Sequence, residues 1–239
     1  KKIILKKLQT SPNIYWNQML SWLYVQEKDY NKALLQQKAI FRRDRNSLQG
    51  IIEVALLAKG AKSYEITSDA FTFIIEQSQE PKLILEAKRQ LLVLEVLRFD
   101  APEHKRIASD YKALLELYGI NDISIELQLS YIQFLAFNYN KKDTAISFLK
   151  QNIKSNMSKF ALARLKLKLA DILLTQEQFN RALVFYTQVH SQIKNSTLAQ
   201  EARFKAAKTS FYKGDFDWAE SQLKVLKSST SQLIANDAR

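Results

Sequence analysis

The sequence predicts an all-α solenoid of about six helical hairpins with a period of about 37 residues. Three observations lead there. An alanine recurs at Ala33, Ala70, Ala108, Ala145, Ala182 and Ala219, at intervals of 37, 38, 37, 37 and 37 residues. Six copies in register over the whole length make a repeat, whereas a plain helical bundle needs no fixed period. Between those alanines apolar residues return every three or four positions, the spacing of one face of a helix. The third observation is a shortage, with 4 Gly and 3 Pro in 239 residues. So few turn formers argue against a many-stranded β fold with tight hairpins, and no two glycines lie close enough to build a phosphate-cradling loop.

The elements follow in order. Residues 1–12 open with Lys-Lys-Ile-Ile-Leu-Lys-Lys-Leu, where charges bracket only 3 apolar residues. That is too short for a signal-peptide core, and it reads as the end of a preceding helix in a longer protein. Six units are expected at about 13–45, 46–80, 81–119, 120–156, 157–194 and 195–229. In the fifth, Ala163, Leu167, Ala170, Leu173 and Leu174 mark one amphipathic helix, and Phe179, Ala182, Leu183, Tyr186 and Val189 mark a second. A polar Thr-Gln-Glu-Gln turn separates them. Pro102 suits a helix start, Gly119 with Asn121 and Asp122 suits one helix end and the next cap, and Gly214-Asp215 suits a turn. The recurrent alanine has a packing reason: at the crossing of two helices a bulky side chain would push the axes beyond the usual ~8–10 Å. Residues 230–239 are expected to begin a further helix, and no apolar run approaches the ~18–20 residues that span a bilayer.

At this level of detail the chain resembles the tetratricopeptide repeats. Leu20, Tyr24, Tyr30 and Ala33 follow that family's pattern in the first unit. Ala207, Gly214, Phe216 and Ala219 follow it in the last, and Pro81 stands near the closing proline of the second. The period of 37 departs from the family's 34, and Lys105 and Lys142 replace the aromatic in units three and four. The stretch from Glu201 to Glu220 resembles divergent repeats of bacterial cell-envelope proteins, which implies a periplasmic or envelope location, with the cytoplasm as the alternative. The resemblance implies a right-handed superhelix whose concave side is lined by the first helix of each pair. In family register the groove residues are Trp22, Tyr131, Phe134, Arg164, Lys168, Phe204, Lys205, Lys208 and Tyr212. Trp22 is assigned to core or groove, while Trp16 and Trp218 are expected between helices. The two-carboxylate clamp found in some such repeats is not expected, because the first unit offers Gln18 and Trp22 where Lys and Asn are needed.

The function implied is a non-catalytic scaffold that holds a segment of another protein in that groove. Charge bears on the partner. The chain has 36 Lys+Arg against 24 Asp+Glu, and residues 150–213 hold 12 basic and 3 acidic side chains. This stripe has three readings: a solvated face, a surface for an acidic peptide or protein, or a surface for anionic lipid or nucleic acid. The alternative function is therefore a basic solenoid on nucleic acid or an anionic membrane surface. Against base-by-base reading, Trp22, Lys59, Leu97, Phe134, Asp171 and Lys208 show no regularity. A homo-oligomer is compatible with the sequence. No catalytic residue, cofactor or metal is expected, since there is no Cys and His104 and His190 have no sequence-local nucleophile. Reversing Lys168 and Lys205 to Glu is expected to weaken partner capture at unchanged thermal stability.

Overall fold

The computed structural model describes residues 1–45, 48–98, 101–153 and 156–226. The expected helix at 230–239 lies outside the described residues. Among the described residues all regular structure is helical. The helices are α1 (Lys2–Thr10), α2 (Ile14–Gln26), α3 (Tyr30–Arg43), α4 (Gln49–Gly60), α5 (Tyr64–Gln77), α6 (Pro81–Arg98), α7 (His104–Tyr118), α8 (Ile125–Gln133), α9 (Lys142–Asn152), α10 (Lys159–Leu174), α11 (Phe179–Gln192), α12 (Thr197–Lys213) and α13 (Phe216–Leu226). A 3-10 turn (Ala101–Glu103) precedes α7, and a π turn (Phe134–Asn138) ends α8. No helix among the described residues is long and apolar enough to cross a membrane.

The chain divides into two compact units, residues 1–107 and 108–239. In the first, α2 packs on α3, α4 on α5 and α5 on α6. Leu20, Leu34, Phe41, Ile51, Phe71 and Ile74 form its core. In the second unit, α10 packs on α11, α11 on α12 and α12 on α13. An aromatic run fills its other end: Tyr111 stacks on Phe134 at 5.6 Å and lies 5.4 Å from Tyr131, which meets Phe148 edge-on at 5.3 Å. Each such side chain removed from water contributes about 1.5–3 kcal/mol.

Every one of the six recurrent alanines is buried; five lie within the first five residues of α3, α7, α9, α11 or α13, and Ala70 lies at the middle of α5. Tyr30, Phe179 and Phe216, three residues ahead of Ala33, Ala182 and Ala219, are the first residues of their helices. In the first, fifth and sixth hairpins the recurrent alanine thus falls three residues after the start of the second helix.

Five of the hairpin turns share one backbone device. Lys28, Lys62, Asn140, Glu177 and Gly214 adopt φ of 58°, 60°, 54°, 58° and 91°, each two residues before the start of α3, α5, α9, α11 or α13. The next residue then donates its N–H back into the first helix, as in Asp29 N to Tyr24 O (2.8 Å), Ser63 N to Ala58 O (2.8 Å), Gln178 N to Leu173 O (3.0 Å) and Asp215 N to Ser210 O (2.8 Å). This left-handed closure satisfies carbonyls that a helix end leaves without partners. Only one of the five positions is glycine, so four carry the steric cost of a side chain there, about 1–2 kcal/mol each. The turns at Asn140, Glu177 and Gly214 are 37 residues apart, as the alanines predict, whereas Lys28 and Lys62 are 34 apart. In that second hairpin the fully buried Thr67 stands where Ala33 stands in the first, and Ala70 packs one turn later.

Two outcomes follow for urea or thermal unfolding. Ala182→Leu, placed at 0% exposure, lowers stability by about 1–3 kcal/mol through overpacking, whereas Leu56→Ala at 47% exposure changes it little. Glu177→Gly raises stability by up to about 1 kcal/mol, while Gly214→Ala lowers it by a similar amount.

Candidate functional site

The first helices of the later hairpins, α8, α10 and α12, lie side by side within the second unit. Polar rungs join them. Arg164 on α10 pairs with Glu126 on α8 through both terminal guanidinium nitrogens. Lys168 Nζ donates to Gln133 Oε1 at 3.0 Å. Lys205 Nζ on α12 reaches Asp171 Oδ1 and Oδ2 on α10 at 3.0 and 2.9 Å, and Glu201 at 3.0 Å. Tyr186 of α11 donates its hydroxyl to Asp171 at 2.7 Å.

The electrostatics follow from these contacts. Burial opposes the Lys205 ammonium, but Asp171 and Glu201 outweigh it and hold its pKa above the ordinary value. Burial lowers that of Lys168, with Lys205 adding to the same effect and Asp171 opposing it. Burial, and then the Asp171 carboxylate, push the Tyr186 phenol far up. Arg164 and Lys205 are thus paired with carboxylates inside the chain, while Lys168 is held by a neutral amide.

Two expected groove residues are corrected. Tyr131 and Phe134 are each 1% exposed and belong to the aromatic core. The π turn is the reason. It holds one residue more than an α turn, and the closing bond of this hairpin, Lys141 N to Leu135 O at 2.7 Å, spans six residues where the other four span five. Counting back from Ala145 therefore lands one residue late. Gln133 and Glu126 occupy the outward positions and meet Lys168 and Arg164. The amino-acid types Phe-Leu-Ala-Phe-Asn carry no local signal for that extra residue.

The other expected residues divide. Arg164, Lys168 and Lys205 hold neighbouring helices together. Trp22, on α2 in the first unit, is 60% exposed and stands on the surface, as does Trp218 at 39%. Phe204, Lys208 and Tyr212 converge. Together with Phe211 and Leu223 they line an open cleft of about 510 Å³ between α12 and α13. Lys208 makes no ion pair among the described residues, and its Nζ lies 5.6 Å from the centre of the Phe204 ring. Phe211 and Tyr212 are both 56% exposed, and Phe211 touches Phe216 at 5.2 Å. Phe211, Phe216 and Leu223 were missed, although Phe204, Lys208 and Phe211 follow the i, i+4, i+7 spacing of one helix face. No group of three or more His, Asp or Glu able to hold a metal is found among the described residues.

No protein-family model matches the chain, and no curated protein matches it. Solved structures do. A tetratricopeptide repeat protein from Parabacteroides merdae aligns over 83% of this chain and 73% of its own, at a TM-score of 0.50 and 16% identity. The chain has a tetratricopeptide-repeat fold. PilW, described as a widely conserved type IV pilus biogenesis factor, aligns over 95% of this chain and 98% of its own, at a TM-score of 0.59 and 13% identity. PlcR of Bacillus thuringiensis, solved in complex with the peptide PapR7 and DNA, aligns over 87% and 83%, at 0.56 and 11%. At these identities the likeness is one of fold. It matches the stacked hairpins with alanine at their crossings.

The ion pairs change the outcome expected for charge reversal. With side chains only 29% and 23% exposed, Lys205 and Asp171 form a half-buried pair. Lys205→Glu sets a third carboxylate against Asp171 and Glu201 and lowers stability by about 1–3 kcal/mol. Lys208→Glu leaves the urea midpoint unchanged.

Proposed function

We propose that the chain is a non-catalytic protein-interaction scaffold that takes up an apolar segment of a partner protein in the cleft between α12 and α13. The observation that carries this reading is the convergence of Phe204, Phe211 and Tyr212 with Lys208 around one open cleft. Half-exposed aromatics on a rigid helix face supply the anchors typical of binding hot spots. The unpaired Lys208 ammonium beside them favours a carboxylate on the partner, so a mildly acidic segment fits best. Arg164, Lys168 and Lys205 act indirectly by fixing the neighbouring helices.

The peptide complex of PlcR supports segment binding by this fold, and PilW supports a place in the bacterial cell envelope. The internally bonded rungs weigh against a phosphate-binding stripe. Contacts to phosphate need several unpaired cations in a row, and three of the expected ones are committed to neighbours within the chain.

The test is affinity capture from the source organism's extract with the wild type and with Phe204→Ala/Tyr212→Ala, at about 50 and 200 mM salt. A defined protein held at both salt levels by the wild type, and reduced about ten-fold or more by the double variant, is expected. Recovery of nucleic acid or lipid alone, lost as salt rises, would establish the basic-surface alternative.

A further inference from the structure

Beyond that reading, a second cleft lies wholly within the second unit. It measures about 520 Å³ and is walled by α7 and α9 over a floor from α8 and the π turn. Leu115, Tyr131 and Leu135 form the floor and are buried. Ile120 and Phe148 are half-buried along the sides. The rim is polar and exposed, with Lys112 and Glu116 one turn apart on α7 and Thr144, Ser147 and Gln151 along two turns of α9.

None of those five rim side chains makes a hydrogen bond or ion pair among the described residues, and neither does the Tyr131 hydroxyl on the floor. On the face formed by α8, α10 and α12, by contrast, Arg164 and Lys205 are paired with carboxylates. An apolar volume of this size, with a few convergent polar groups, is the composition of a small-molecule site. The rim supplies an ammonium, a carboxylate, two hydroxyls and an amide, so it meets both donors and acceptors, and Lys112 and Glu116 cancel in net charge.

We propose that this cleft binds a small amphiphile with an aromatic-sized apolar body and a head that both donates and accepts hydrogen bonds without net charge. The body lies on Leu115, Leu135 and Phe148. The head bonds the α9 hydroxyls and the Tyr131 phenol. A helix or strand of a partner protein is a weaker fit, because the polar rim extends for only two turns.

The probe is dansylamide, a neutral aromatic sulfonamide whose emission rises and shifts to the blue on leaving water. Titrated into the full chain it is expected to bind one-to-one with a Kd of about 10–100 μM. Ser147→Trp, which fills the cleft from an exposed position, weakens binding about ten-fold or more with unchanged helical circular dichroism. Thr144→Phe, one turn earlier on the same wall, does the same and serves where the first variant fails to fold. Tyr212→Ala, in the α12–α13 cleft, leaves the isotherm as it was. The proposal is overturned by absence of saturable binding, by equal binding in the folded wall variants, or by a loss caused by Tyr212→Ala.

Discussion

The structure depends on how closely the two helices of a hairpin approach each other near their shared turn. That approach is possible because a small residue sits about one turn into the second helix. Ala33, Ala145, Ala182 and Ala219 are 0–2% exposed, and Thr67 plays the same part in the second hairpin. A larger side chain there would separate the axes and remove the contacts on both sides of the crossing. The left-handed residue at the turn serves the same end. It brings the chain back within two residues, so that the second helix begins against the first. The cost of a side chain at Lys28, Lys62, Asn140 and Glu177 is borne because the packing of the pair over-determines the turn.

Given rigid hairpins, the polar rungs set how one first helix meets the next in the second unit. Arg164, Lys168 and Lys205 each reach back to the preceding first helix, about one repeat earlier in the chain. A lysine held by two carboxylates near its own backbone is part of the framework and has little left to offer a ligand. The exposed side chains outside the rungs are the half-exposed aromatics of α12 and the polar rim between α7 and α9. The π turn links those two consequences. By taking in one extra residue it turns Tyr131 and Phe134 inward, builds the aromatic run, and leaves Leu135 on the floor of the second cleft.

Fold class, helical periodicity and the crossing alanines were determined by the sequence alone, because each depends on short-range spacing. An amphipathic stripe records which face is buried, and a small residue at a fixed interval records a close approach. That Phe204, Lys208 and Tyr212 share one face of one uninterrupted helix was legible for the same reason. Three things only the tertiary structure decided. The π turn left no local trace, so the register of α8 was one residue out and two core aromatics stood as groove candidates. Left-handed turns at lysine, asparagine and glutamate are invisible to a search for glycine, since packing and not propensity imposes them. The fate of Arg164, Lys168 and Lys205 depended on acids and amides about one repeat away. Whether a cation is free or spent is a property of the stacked helices, and no spacing within a single helix records it.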